Sequence, residues 1–213
     1  MPTGVSALRW VLLSTLALGA VSLDVDASCV DPAMRVASTV SITREFSDEE
    51  KLATPSIVGV RGTGWFYSKR SIVTAAHVAD AMHLRTNEWK TIQVQGREVG
   101  AQIPARVVRI VGGAYSEKMA LLELGTSFPG AATLPIRTER LVPDEPMVSL
   151  AYPNGALRFA KGRFVRYEDG GKLLGAALLE MHDGNDRLVL DHGASGAPVL
   201  DCEGRVVAVV STI

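Results

Sequence analysis

The chain has 213 residues, of which 47% are hydrophobic, and its formal net charge at pH 7 is −1. This apolar content is enough for one or two compact units with dry cores, which excludes an intrinsically disordered chain. The charges are balanced and form no long run of one sign, so we expect neither a nucleic-acid partner nor binding to an anionic membrane surface.

The first 27 residues have the layout of a secretion signal. Arg9 precedes an apolar run over residues 10–21, and small residues follow the run. The run is shorter than the roughly 20 apolar residues of a membrane-spanning helix. We therefore expect a signal peptide over residues 1–27 and an exported protein, either periplasmic or secreted. An uncleaved membrane anchor is the alternative.

The only two cysteines are Cys29, just after the expected cleavage point, and Cys202, near the end of the chain. Because an exported chain meets oxidising conditions, a Cys29–Cys202 disulfide is predicted. Two alternatives stay open. In the first, Cys29 carries a lipid anchor, although Asp26 stands where such a signal usually has an apolar residue. In the second, both thiols are free.

The chain after the signal is dominated by predicted strands. Residues 47–50, Ser-Asp-Glu-Glu, predict a short helix that Ser47 caps and to which Glu50 reaches back. From residue 56 onward, runs rich in valine and isoleucine alternate with glycine or polar turns about every ten residues, which is typical of an all-β fold. The predicted strands cover residues 57–60, 64–68, 71–75, 91–95, 105–110 and 120–124, then 147–151, 159–167, 173–180, 188–190, 198–200 and 205–210.

Two sets of six strands predict two six-stranded β-barrels, because closing each sheet removes its exposed edges. The N-terminal barrel is assigned to residues 28–133 and the C-terminal barrel to residues 147–213. The intervening residues 134–146 are rich in proline and carry few strand signals. They are interpreted as an inter-barrel linker.

A serine and a histidine in these barrels predict nucleophilic chemistry. Residues 193–199 read Gly-Ala-Ser-Gly-Ala-Pro-Val, so small residues flank Ser195 and leave its backbone accessible. The amides of Gly193 and Ser195 are placed to meet at one point, where they form an oxyanion hole. A serine hydroxyl needs a general base, and the best candidate is His77, which follows the predicted strand 71–75.

Three segments in this order resemble the trypsin-like serine peptidase family, in particular the bacterial branch that includes the HtrA-type proteases. They are residues 62–66 (Gly-Thr-Gly-Trp-Phe), residues 73–78 (Val-Thr-Ala-Ala-His-Val) and residues 193–199, followed by the strand at 206–211. The resemblance covers nearly all of the chain after residue 55. It implies antiparallel barrels with the active site in the cleft between them, an endopeptidase activity on peptide or protein substrates, and no cofactor. We expect no appended PDZ domain.

The acid of the expected catalytic triad is where the sequence departs from this family. Its members usually carry an aspartate that begins an Asp-Leu-Ala-Leu-Leu strand, and Lys118 takes that place here. A lysine cannot accept the imidazole proton, and its charge disfavours the imidazolium that forms during the reaction. Glu117, one residue earlier, is the candidate acid; otherwise the centre is a Ser-His dyad or inactive.

The resemblance also indicates where the substrate side chain binds. Val189 takes the place of the pocket floor, which favours a small or medium hydrophobic side chain, while Asp191 and His192 are able to alter that preference. The histidines other than His77 have no metal-ligand spacing, so no metal site is expected. Two functions therefore compete: a serine endopeptidase, and a peptidase-like protein that binds peptides but cleaves them weakly or not at all.

Overall fold

The computed structural model describes residues 29–53, 58–112, 118–170, 175–184 and 193–211. The predicted all-β class is confirmed: the strands form one closed antiparallel barrel, in the order β1-β2-β3-β6-β5-β4, and one five-stranded half-barrel sheet, in the order β11-β10-β7-β8-β9. The strands are β1 (Thr39–Glu45), β2 (Gly59–Ser68), β3 (Ser71–Ala75), β4 (Lys90–Gln95), β5 (Gly100–Val111), β6 (Met119–Leu124), β7 (Pro146–Ala151), β8 (Arg158–Tyr167), β9 (Ala177–His182), β10 (Pro198–Leu200) and β11 (Val206–Val209).

The helices are short. Two are α-helices, α1 (Asp48–Ala53) and α2 (Ala76–Ala81), and the segments Pro32–Ser38 and Pro153–Gly155 are 3₁₀ turns. The capped helix predicted after Ser47 is confirmed as α1. Ser47 Oγ accepts from the Glu50 amide at 3.3 Å, and Glu50 Oε2 accepts from the Ser47 amide at 2.9 Å. These reciprocal bonds satisfy two amides that the first turn leaves without helical partners.

Alternating side chains fill the closed barrel. Ile42 of β1, Val94 of β4, Ile103 of β5 and Leu122 of β6 point inward and are at most 3% exposed, while their neighbours along each strand point outward. This period of two is what a half-buried strand requires. The barrel therefore has one continuous apolar core.

The strand prediction was wrong in three places in this barrel, the first being that it began β5 at residue 105 instead of Gly100. It omitted β1, and it divided β2 into two strands, 57–60 and 64–68. The glycines that suggested a turn lie inside β2 because side chains from elsewhere fill their space: a Cβ at Gly62 would lie 2.5 Å from Val78 Cγ1, and one at Gly64 2.5 Å from Ile72 Cγ2. Glycine within a strand marks such a close approach.

The second sheet has a separate core, built around Met147, Phe164, Met181 and Val199. Its predicted strand at 188–190 lies outside the described residues, as does the predicted signal peptide. The segment 134–146 runs alongside this sheet, where Val206 N donates to Pro135 O at 2.7 Å and Arg137 N donates to Val206 O at 2.9 Å. These bonds attach the segment to β11.

A third apolar cluster joins the two sheets. Trp65 of the barrel packs with Leu150, Leu200 and Val206 of the second sheet, together with Val36 from the N-terminal 3₁₀ turn. A disulfide links Cys29 to Cys202, and Val30 N donates to Cys202 O at 3.0 Å. Within the described residues, no helix has both the length and the apolar character needed to cross a membrane.

Candidate active site

Ser195 lies in a tight turn at the start of β10. Ala197 N donates to Ala194 O at 2.9 Å, and Gly196 N donates to Val210 O at 2.8 Å. The side chains of Ala194 and Ala197 are fully buried in the core of the second sheet. Ser195 itself is 4% exposed. The turn is therefore held rigidly, as a nucleophile must be to meet a substrate carbonyl.

Glycine is required at position 196 by both space and backbone conformation. Gly196 has a φ of +93°, and a Cβ there would lie 2.0 Å from Thr63 O and 2.3 Å from Thr74 Oγ1. Only glycine adopts this conformation at no steric cost. The Ser195 turn therefore packs directly against β2 and β3 of the barrel.

Thr63 of β2 is the main link between the barrel and the Ser195 turn. Its amide donates to Ser195 O at 2.9 Å, and its hydroxyl donates to Gly193 O at 2.7 Å. The same hydroxyl accepts from Tyr152 N at 2.9 Å. In the sequence, Thr63 stands out only as part of the motif at residues 62–66. The only sequence feature that marks this position is a threonine between two glycines, Gly62 and Gly64.

His77 is the second residue of α2, directly after β3 ends at Ala75. The side chain of His77 is exposed. Its neighbour Val78 is buried against Gly62 of β2, and a Cβ at Gly62 would also lie 3.4 Å from Ser195 O. The first turn of α2 and the Ser195 turn therefore both approach Gly62 of β2, which brings the elements of the two predicted catalytic residues together.

Lys118 lies beside the start of α2. Its carbonyl oxygen accepts from Ala76 N at 2.7 Å, and Ala75 is paired with Met119 across β3 and β6. The Lys118 side chain is exposed. Lys118, which takes the place of the expected acid in the sequence, is therefore adjacent to the backbone that carries His77.

The remaining predicted site residues fall outside the described part of the chain: Glu117, Val189, Asp191 and His192. Within the described residues, no group of three or more His, Cys, Asp or Glu side chains is placed to hold a metal ion. His83 stacks on Phe46, with ring centroids 4.9 Å apart, and its Nδ1 lies 3.4 Å from Glu50 Oε1.

Two titratable residues next to strands of the second sheet, Tyr152 after β7 and Asp201 after β10, are buried. Burial raises the pKa of the Tyr152 phenol. Asp201, one residue after β10, is 1% exposed. Burial alone would raise the pKa of Asp201, but hydrogen bonds from the Arg205 backbone and side chain hold it below its ordinary value. Asp201 is therefore an anion that fixes the turn between β10 and β11.

Three of the solved structures that share this fold are of one protein, Rv3671c from M. tuberculosis. The active form of the Rv3671c protease from M. tuberculosis has a TM-score of 0.58 at 19% identity, over 84% of this chain and 71% of that chain. The inactive form has a TM-score of 0.56 at 21% identity, over 84% and 78% of the two chains. A serine-to-alanine mutant in the inactive form has a TM-score of 0.57 at 20% identity, over 84% and 80%.

At these identities the structures establish the fold alone, and no curated protein sequence matches the chain. The sequence itself matches the profile of the trypsin-like peptidase domain over residues 62–209, which is more than half of the chain. This match includes the segments around Thr63, His77 and Ser195. The chain belongs to the trypsin-like peptidase domain family.

Proposed function

We propose that this chain is an exported serine endopeptidase in which Ser195 is the nucleophile and His77 the general base. The observation that carries the proposal is the pair of backbone and hydroxyl bonds from Thr63, which hold Ser195 O and Gly193 O against the strand on which α2 also packs. Residues 29–211 supply a rigid serine turn and an exposed imidazole on adjoining elements. Acyl transfer needs this arrangement.

The chemistry proceeds in two steps. His77 accepts the Ser195 hydroxyl proton while Oγ attacks the scissile carbonyl, and the imidazolium then gives that proton to the leaving amine. Water repeats the sequence on the acyl-enzyme and releases the second product. The amides of Gly193 and Ser195 donate to the oxyanion in both steps. The two carbonyls held by Thr63 fix the orientation of the peptide units that follow them, including the amide between residues 195 and 196.

Export is proposed from the apolar segment over residues 10–21 and from the Cys29–Cys202 disulfide, which persists in oxidising compartments. The substrate pocket is proposed around Val189, with an apolar floor and with Asp191 and His192 at its edge. A peptide or protein with a small or medium hydrophobic residue before the cut is the proposed substrate.

A second candidate function is a peptide-binding protein on the same scaffold, without efficient cleavage. The observation that favours it is the exposed Lys118 at the place of the acid, bonded through its carbonyl to Ala76 beside His77. An ammonium there opposes the positive charge that His77 acquires in the transition state. The two candidates differ only in the rate of hydrolysis.

Replacing Lys118 with aspartate distinguishes them. If no acid serves His77, Lys118→Asp raises peptide cleavage by up to about 10⁴-fold, the factor that a properly bonded acid contributes in a well-studied triad. The measurement is hydrolysis of a mixed peptide library by wild type, Lys118→Asp and Lys118→Ala. Ser195→Ala serves as the blank.

Each outcome assigns the acid. If cleavage increases in Lys118→Asp but not in Lys118→Ala, the wild-type protein lacks a catalytic acid and acts mainly as a peptide-binding protein. Active wild type without a gain assigns the acid elsewhere, and a further loss in Glu117→Gln then identifies Glu117. Cleavage that persists in Ser195→Ala would contradict the proposed mechanism.

A further inference from the structure

A polar cleft of about 480 Å³ lies on the outer face of the barrel, next to the second sheet. Neighbouring strands supply its lining in register: Thr43 of β1 pairs with Gln93 of β4, and Gln93 pairs with Gln102 of β5. One step along, Ser41 pairs with Gln95. The cleft is thus lined by hydroxyl and amide groups, which both donate and accept hydrogen bonds.

Arg61 closes one end of this cleft. It pairs with Thr43 across β2 and β1, which extends the polar row by one strand. Its guanidinium lies against Gly155, where a Cβ would be only 2.7 Å from Nη1 and 3.0 Å from Cζ. Gly155 has a φ of +79°, so glycine both fits the turn and leaves room for the arginine.

Among the described lining residues, the one carboxylate is that of Glu45, two residues from Thr43, which is the pairing partner of Arg61. Glu45 is the last residue of β1 and pairs with Gly59, while the Arg61 side chain extends toward Gly155. Among the described residues, no carboxylate lies within ion-pair distance of Arg61. Within the described part of the chain, the Arg61 guanidinium therefore has no ion-pair partner, and it lies at the edge of a surface lined mainly by hydroxyl and amide groups.

This end of the cleft is continuous with the Ser195 turn. Arg61 is two residues before Thr63, whose amide binds Ser195 O. Gly155 follows Pro153 and Asn154, and a Cβ at Gly193 would lie 3.2 Å from Asn154 N. A polypeptide that leaves the Ser195 turn along β2 therefore meets Arg61 within two residues.

We propose that this surface, the Arg61 cleft, binds one flank of the polypeptide substrate and that Arg61 selects an acidic side chain there. The inference rests on the proposed peptidase function and adds a specificity residue to it. A guanidinium binds a carboxylate through two parallel hydrogen bonds, a geometry that lysine does not reproduce. The hydroxyl and amide groups beyond it suit the backbone and polar side chains of an extended chain.

The test profiles cleavage of a peptide library made from a digested proteome. Wild type, Arg61→Ala, Arg61→Glu and Arg61→Lys are compared, with Arg166→Glu as a charge-matched control on the second sheet. We expect wild-type cut sites to be enriched in Asp and Glu at one position on one flank. That enrichment falls about fivefold in Arg61→Ala, since an exposed ion pair contributes up to about 1 kcal/mol. Arg61→Glu reverses the preference toward Lys and Arg, and Arg166→Glu leaves it unchanged.

A binding arm separates failure of this inference from failure of the proposed function. The same library is passed over immobilised Ser195→Ala protein with and without Arg61→Glu. Cleavage by wild type with no acidic preference, or with one that Arg61→Glu retains, overturns the inference and leaves the peptidase standing. Absence of any cleavage, together with Arg61-dependent retention of acidic peptides, supports the cleft and rejects the peptidase. If the protein neither cleaves peptides nor retains acidic peptides through Arg61, both the peptidase proposal and the cleft proposal are rejected.

Discussion

Thr63 binds three backbone groups in and beside the Ser195 turn. Its hydroxyl donates to Gly193 O and accepts from Tyr152 N, while its amide holds Ser195 O. Thr63 is fully buried, so water cannot replace these partners. An unpaired buried group costs about 1 to 3 kcal/mol, which makes the geometry of the Ser195 turn dependent on this hydroxyl.

The variant Thr63→Val keeps the shape of the side chain and removes its hydroxyl. We expect the free energy of unfolding to fall by about 3 kcal/mol, because Gly193 O and Tyr152 N both lose their partner. Peptide cleavage should fall by about 10²-fold, the cost of a small misplacement of catalytic groups. Urea unfolding and library hydrolysis measure the two effects.

The matched control is Thr63→Ser, which retains the hydroxyl and loses one methyl group. It should keep most of the activity and lose only about 1 kcal/mol of stability. A larger loss for Thr63→Ser than for Thr63→Val would show that packing of the methyl group, and not the two hydrogen bonds, is what matters at position 63.

At the residue scale, part of the site could be predicted from the sequence. The motifs at residues 73–78 and 193–199 select His77 and Ser195 as candidates, and the elements that carry them both pack against β2. The role of Thr63 could not be predicted, because its partners Gly193 and Tyr152 are distant in sequence. The contact between Arg61 and Gly155 could not be predicted for the same reason, because Gly155 is distant in sequence and lies in the 3₁₀ turn between β7 and β8.

At the scale of elements, α1 is joined to the barrel through Glu50. This carboxylate accepts two bonds from Arg44 of β1, at 2.8 and 2.7 Å, and one from Lys90 of β4 at 3.2 Å. Arg44 is 8% exposed, so the pair is largely removed from water. The bonds from Arg44 in particular hold the pKa of Glu50 far below its usual value. His83, which follows α2, contacts the same carboxylate.

The depressed pKa of Glu50 predicts a pH dependence of stability. A carboxylate with a lowered pKa in the folded state stabilises the protein above its unfolded pKa, about 4.5, and loses that contribution as the pH falls below it. Glu50→Gln should therefore destabilise the protein by about 2 kcal/mol at pH 7. The difference from wild type should shrink between pH 5 and pH 2, on the order of the range over which a salt-bridged acid titrates.

Thermal or urea unfolding across this pH range measures the difference. Asp48→Asn, in the same helix, is the control, because Asp48 is exposed and makes only a 3.6 Å contact with Lys51. Its effect should be small at every pH. A Glu50→Gln difference that stays constant from pH 7 to pH 2 would contradict the assigned pKa shift.

The elements themselves were predicted unevenly. Strands with alternating or continuous apolar residues, such as β3, β6 and β7, were placed to within one residue. β1 was missed because its outward positions carry Ser41 and Thr43 and its penultimate residue is Arg44, so its apolar signal is weak. β2 was divided because residues 61–63, Arg-Gly-Thr, resemble a turn, whereas in the structure the side chain of Val78 occupies the space beside Gly62.

At the scale of the whole molecule, the two sheets are held together from behind the Ser195 turn. Trp65, Leu150 and Leu200 form an apolar contact between them, and the Cys29–Cys202 disulfide ties the N-terminal segment to the turn after β10. The linked cysteines are 173 residues apart. A loop of this length restricts the unfolded chain strongly.

Removal of the disulfide should therefore lower stability with little change in the folded structure. The double variant Cys29→Ser, Cys202→Ser should lose about 4 to 5 kcal/mol by the chain-entropy model. For a chain of this size that corresponds to a melting temperature lower by roughly 10 to 15 °C. Calorimetry with and without a reductant makes the measurement. The reductant should bring wild type to the melting temperature of the double variant and leave the double variant unchanged; equal melting temperatures without reductant would contradict the prediction.

The central claim, that Ser195 is a nucleophile activated by His77, is tested most directly by reaction with a fluorophosphonate probe. The account predicts one covalent adduct per chain, located on Ser195 by mass spectrometry of the digested protein. The adduct should disappear in Ser195→Ala and form far more slowly in His77→Ala. Folded wild type that remains unlabelled, under conditions that label a control serine protease completely, would contradict the claim.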